Sequence, residues 1–188
     1  MRRALRRIWI PVTVRIWPLA RLWYRVCGLT LDGGPEDIVW YFAYGANMHD
    51  SAFRGRRGMR PSEWRVGRIA GFRLRFNLDG SPKGRAAPAN ISADAESEVW
   101  GVLYRITQRE LVRLNASEGV PGGRYRPLWF SVEDGQGNLL NAIAYIADGN
   151  AVDGNPSRRY LTLLRDGARA HGLSEDWLAY LDSVEPAK

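Results

Sequence analysis

From Ile38 to Tyr44 the chain is almost continuously apolar, and the run stops at Gly45, with Asn47, His49 and Asp50 close behind. An apolar run of strand length ending in a glycine turn reads as a central strand covered on both faces. A turn placed there can offer backbone N–H groups to a small anionic ligand. Many strand-to-loop junctions carry a glycine, so the pattern gains its weight from a carboxylate far downstream. That carboxylate is Glu118, in Asn115-Ala116-Ser117-Glu118-Gly119-Val120.

The rest of the body alternates strand and turn signals. Phe72, Leu74 and Phe76 interleave with Arg73 and Arg75, as in a strand with one wet face. Val99 to Ile106 reads as another strand. Thr107-Gln108-Arg109-Glu110 fits a capping box opening a short helix that continues through Leu111 and Leu114. Tyr125 to Val132 and Leu139 to Ala147 flank the hairpin turn Asp134-Gly135-Gln136-Gly137-Asn138. Asn155, Pro156 and Ser157 start a helix with Tyr160, Leu163, Leu164 and Ala168 on one stripe, which Gly172 stops. Ser174 caps a last helix bearing Trp177, Leu178 and Leu181. Ser51 to Pro61 suggests a short helix plus loop, and Asp79 to Pro88 a loop. Six or so strands followed by gathered helices define an α+β fold with a small, mixed, mostly antiparallel sheet that could curl into a barrel flanked by helices.

Charge divides the chain in two. The net charge is +7, yet residues 1–31 contain seven arginines and no acid, while the remainder holds 20 basic and 20 acidic residues. The basicity belongs to the N-terminus and gives the body no nucleic-acid-binding face. Residues 1–35 therefore read as a basic Arg/Trp-rich extension with a Gly33-Gly34-Pro35 linker, and 36–188 as one folded domain. Arg15, Arg21 and Arg25, with Pro11 and Pro18, break any membrane span. After Pro18, Leu19, Leu22, Trp23 and Val26 fall at helical spacing with Arg21 and Arg25 off that stripe. Such an element suits peripheral contact of residues 1–28 with anionic lipid. A docked helix, a disordered tail and a Ser-poor transit peptide are the open alternatives.

Several chemistries lack their residues. Cys27 is the single cysteine, and His49 and His171 are the two histidines, so no disulfide or zinc spacing exists. Both histidines read as capping or surface groups. The dinucleotide, P-loop and Gly-x-Ser-x-Gly motifs are absent.

Tyr41-Phe42-Ala43-Tyr44-Gly45-Ala46-Asn47-Met48 resembles the Tyr-Phe-Ala-Tyr-Gly-Ser-Asn-Met/Leu signature of the γ-glutamylcyclotransferases, a group that includes AIG2-like and γ-glutamylamine cyclotransferase-like proteins. Glu98 to Tyr104 resembles the family's strand before its catalytic helix, and Asn115 to Val120 its segment with the catalytic glutamate. Tyr125, Tyr145 and Tyr160 fall where related enzymes carry tyrosines. The similarity spans residues 36–186.

The resemblance implies a cofactor-free, metal-free cytoplasmic enzyme of γ-glutamyl and glutathione metabolism. A γ-glutamyl amino acid or amine would cyclise to 5-oxoproline through its own α-amine. Glu118 would be the general acid/base, with its pKa raised by apolar surroundings. Tyr41, Phe42, Ala43, Tyr44, Gly45, Ala46, Asn47, Tyr125 and Tyr160 would bind substrate, with Tyr41 and Tyr160 equally readable as core. The sequence departs from the signature at Ala46, which removes the family's serine hydroxyl and keeps the backbone N–H. A differently specific or non-catalytic γ-glutamyl-binding domain tethered to a membrane is the alternative. The leaving amine and the oligomeric state are not written in these residues.

Overall fold

A computed structural model describes residues 17–26, 33–80 and 87–187. The expectations for residues 1–16, Cys27 and the tip of the 79–88 loop lie outside the described residues. Among the described residues, nine helices and strands follow in order. They are α1 (Trp17–Val26), β1 (Ile38–Ala43), β2 (Glu63–Arg75), β3 (Asn90–Thr107), α2 (Gln108–Ser117), β4 (Arg126–Asp134), β5 (Leu139–Ile146), α3 (Arg158–Ala170) and α4 (Glu175–Ser183).

Among the described residues five strands, against the six or so expected, close a barrel in the order β1-β3-β2-β4-β5. Every pairing is antiparallel except β1 with β5. The strand count falls because β2 and β3 are longer than their apolar stretches. They form one hairpin ladder from Glu63↔Arg105 to Arg75↔Asn90, with a bulge at Gly71. Polar residues on the wet side of that ladder hide its length from a hydrophobicity pattern. Across it, Arg68 bonds Glu98 and Arg73 lies 3.6 Å from Asp94, while on its other side Arg68 bonds Glu133 of β4 (Arg126–Asp134).

The strand alternation sorts β1 into two faces. Phe42 turns inward and is fully buried, its ring lying over Gly101. Tyr41 turns outward, stacked on Phe53 and tilted against Tyr145. That outward face is covered by the 51–56 turn, α2, α3 and their connections, and this is where the site forms. The predicted caps are present. Thr107 and Glu110 bond reciprocally at the start of α2, and Ser157 and Ser174 cap α3 and α4.

α1 departs from its sequence reading at Leu22. Among its described side chains Ala20 and Tyr24 are buried, packed with Val112 of α2, whereas Leu22 is 59% exposed, and the side chains of Trp23 and Val26 lie outside the described residues. The body selects the small residue and the tyrosine because Tyr24 has a polar partner there, Asn115. A stripe count cannot include that partner. No helix among the described residues is long and apolar enough to cross a membrane.

Candidate active site

A cavity of about 430 Å³ opens on the outward face of β1, a size suited to a small ligand. Its walls come from six separated stretches. The β1 end and turn give Tyr41, Tyr44, Gly45, Ala46 and Asn47, and the 51–58 segment gives Arg57. The α2 end gives Ser117, Glu118 and Gly119, and Tyr125, Tyr145 and Tyr160 complete the lining with Pro88, Ala89 and Arg124. Phe42 and Ala43, grouped with these on the sequence, do not line it. Phe42 points into the barrel and Ala43 is buried beside Gly101. Strand alternation turns Phe42 away from the face that carries Tyr41.

Glu118 is the only carboxylate in that lining. It sits at the C-cap of α2, and Gly119 follows with φ +74°, the left-handed conformation that ends helices and that glycine adopts without a Cβ penalty. The helix stop therefore delivers Glu118 to the cavity wall. Its side chain is 13% exposed. Asn47 Nδ2 donates to Glu118 Oε1 at 3.0 Å and to the Tyr41 hydroxyl at 2.8 Å. Arg57 pairs with Glu118 Oε1 at 2.9 Å, donates to Asn47 Oδ1 at 2.6 Å and bonds the Ser117 hydroxyl. The immediate surroundings of the carboxylate are thus a guanidinium and an amide, where apolar neighbours were expected. Arg57 lies in a Gly/Arg-rich stretch without periodicity, so nothing in the sequence separates it from Arg54 or Arg56.

The opposite wall is phenolic. Tyr160 accepts from the Ala89 N–H at 3.1 Å, and Tyr125 donates to the Ala89 carbonyl at 2.8 Å. Tyr44 donates to the Tyr145 carbonyl. Burial pushes the Tyr41, Tyr44, Tyr125, Tyr145 and Tyr160 phenols upward, and neighbouring charges such as Glu118 add to it. They remain protonated and can act as neutral hydrogen-bonding groups. Gly45 is needed for a local reason. A Cβ there would lie 3.0 Å from the Tyr160 hydroxyl and 3.5 Å from Ala89 Cβ.

Neither histidine lines the cavity. His49 accepts from the Ser51 N–H, and His171 caps α3 against Tyr104. No group of three or more His, Cys, Asp or Glu among the described residues could hold a metal ion.

A model of the AIG2-like family matches residues 98–181, the stretch holding Glu118, Tyr125, Tyr145 and Tyr160. The chain is 30% identical over 154 residues to the γ-glutamylcyclotransferase of Bos taurus, covering 78% of each chain. It is 28% identical over 162 residues to that of Homo sapiens, covering 83% of this chain and 84% of the relative. A solved structure described as a γ-glutamyl cyclotransferase superposes with a TM-score of 0.74 at 25% identity, over 81% of this chain and 90% of the other. The chain belongs to the γ-glutamylcyclotransferase family.

Proposed function

We propose that this enzyme converts a γ-glutamyl amino acid to 5-oxoproline and the free amino acid, with Glu118 as the proton carrier. The observation that carries the reading is the position of Glu118. It is the one carboxylate of the cavity, facing a glycine turn and a ring of protonated tyrosines.

The substrate brings its own nucleophile, so the protein has to fold it and carry protons from the α-ammonium to the departing nitrogen. Glu118 accepts a proton from the substrate's α-ammonium. The freed amine attacks the γ-carbonyl, a C–N bond closes the five-membered ring, and the carbonyl oxygen takes up the negative charge. Backbone N–H groups of the 45–47 turn stabilise that oxyanion. As the original amide C–N bond breaks, Glu118 returns the proton to the departing nitrogen, then takes the second proton that the ring nitrogen loses in becoming the lactam N–H and passes it to the released amine, which leaves as an ammonium. One carboxyl serves both steps, and no electron acceptor is required. Asn47 and Arg57 hold Glu118 Oε1, leaving Oε2 for this exchange.

Charge supports a leaving group that is an amino acid rather than a simple amine. Among the lining residues Arg57 is offset by Glu118, and Arg124 contributes a further positive charge. A γ-glutamyl amino acid carries a net negative charge that matches it. The test is 5-oxoproline release from paired γ-glutamyl amino acids and their carboxamides. The acids should turn over with the higher kcat/KM. Equal rates would remove the charge argument, and binding without turnover across the panel would turn the protein into a γ-glutamyl-binding domain.

The outward face of α1 favours a second property, contact with anionic lipid. Arg21, Leu22 and Arg25 are exposed on it. In the full chain, Arg21→Glu with Arg25→Glu should reduce sedimentation with phosphatidylserine vesicles. Undiminished sedimentation would place lipid contact elsewhere or nowhere.

A further inference from the structure

The resemblance to the family covers residues 36–186 and leaves out α1, yet α1 is joined to the cavity wall by a buried hydrogen-bond chain. Asn115 of α2 donates through Nδ2 to the Tyr24 hydroxyl at 2.7 Å. Its Oδ1 accepts from the Tyr145 hydroxyl. Tyr24, Asn115 and Tyr145 are 4%, 2% and 4% exposed, so water does not compete for these bonds. Tyr145 lines the cavity, its ring tilted against Tyr41 with centroids 5.7 Å apart. Tyr41 in turn shares Asn47 with Glu118. Asn115 also stands one turn before Glu118 on the same helix, and Val112, one turn earlier again, packs under Ala20 and Tyr24.

We infer that α1 is a working part of the active site, with Tyr24 a positioning residue that acts through Asn115 on Tyr145 and on the helix end presenting Glu118. This rests on the cyclotransferase reading for its kinetic consequence and on the geometry alone for its structural one. Asn115 is the joint. Its amide has one oxygen and one NH₂, and each is committed to a different tyrosine. Removing the Tyr24 hydroxyl leaves a buried amide hydrogen without that acceptor and frees the side chain to rotate. Rotation would release the Tyr145 hydroxyl and loosen the last turn of α2. Substrate would still reach its binding contacts at Gly45, Tyr125 and Tyr160, which the chain does not include. The effect should therefore fall on kcat more than on KM.

The experiment uses the full chain. Tyr24→Phe keeps the ring over Val112 and deletes only the hydroxyl. Its kcat on a γ-glutamyl dipeptide should fall about fivefold, the scale of one buried hydrogen bond, with KM changed less than about twofold. Tyr24→Phe combined with Tyr145→Phe should cost less than the product of the two single effects, because both act through Asn115. Hydrogen exchange gives a readout that needs no activity. Amides of Glu118 and Gly119 should exchange faster in Tyr24→Phe, while those in the middle of α3 stay as in the wild type. An unchanged kcat together with unchanged exchange at the α2 end would overturn the inference. So would a uniform loss of protection across α2 and α3, which would make Tyr24 a general stabiliser. If the wild type releases no 5-oxoproline from any substrate, the cyclotransferase reading fails, and the exchange comparison still decides the role of Tyr24.

Discussion

Two acidic side chains, Asp134 and Glu118, sit at opposite kinds of place in this molecule. Asp134 closes the β4–β5 hairpin with its side chain fully buried. It accepts from the N–H groups of Gln136 and Asn138, from the Asn138 amide, and from Arg65 at 2.9 Å. Burial alone pushes its carboxyl up, but the Asn138 and Gln136 donors and Arg65 outweigh that and bring it down to about 2. Glu118 also has two cationic or amide partners, but they are side chains brought from the 45–58 stretch, and the carboxylate borders a cavity. The first carboxylate is satisfied mainly by its own turn and faces nothing that could exchange a proton. The second is held from one side and open on the other. A buried acid with partners is therefore not by itself a functional residue. What distinguishes a proton carrier is an unshared face on a space that a substrate can enter.

Substitutions that exchange the two roles test this contrast. Glu118→Gln should lower kcat by roughly 10²–10⁴-fold, the usual range for a lost general acid/base, with little change in Tm. Arg57→Met should lower kcat/KM by about 10²-fold, because Glu118 and Asn47 lose the group that fixes them and a misplaced carboxylate is a poor proton carrier. Asp134→Asn should do the reverse, lowering Tm by several degrees while the folded fraction keeps its specific activity. The sign of its pH effect follows from a carboxyl lowered by folding from 3.8 to about 2. Asp134 contributes stability above the unfolded value, and that contribution is lost as pH falls through about 2. Melting scans between pH 6 and pH 2 should show that dependence in the wild type and a shallower one in Asp134→Asn. Gly45→Ala should raise KM by about fivefold, because its Cβ would crowd the Tyr160 hydroxyl. The smallest effect is a null one on pH. With the cavity phenols raised by burial, kcat should show no tyrosine inflection below about pH 10, and Tyr160→Phe should leave the alkaline limb in place.

The sequence made some of this legible for identifiable reasons. The capping box at Thr107–Glu110, the serines that open α3 and α4 and the glycines that close α2 and α3 are local chemistry, and local chemistry can be read from neighbours in the chain. The motif around Tyr41 and the glutamate at 118 came from the resemblance. Arg57 and Asn115 escaped because their roles depend on partners far away in sequence. Arg57 meets Ser117 across 60 positions, and Asn115 meets Tyr24 across 91. The burial of Tyr24 escaped for the same cause, since a distant amide partners its hydroxyl. Phe42 was grouped with the site because a run of apolar letters does not say which face of a strand carries the cavity.

The most direct test is the rate of 5-oxoproline release by Glu118→Gln saturated with a γ-glutamyl dipeptide, measured beside the wild type and Asp134→Asn. The account predicts release in the wild type and in folded Asp134→Asn. It predicts almost none in Glu118→Gln, which should still bind the dipeptide and melt near the wild-type temperature. Release by Glu118→Gln at the wild-type rate would contradict it and move the proton transfer to another group of the cavity.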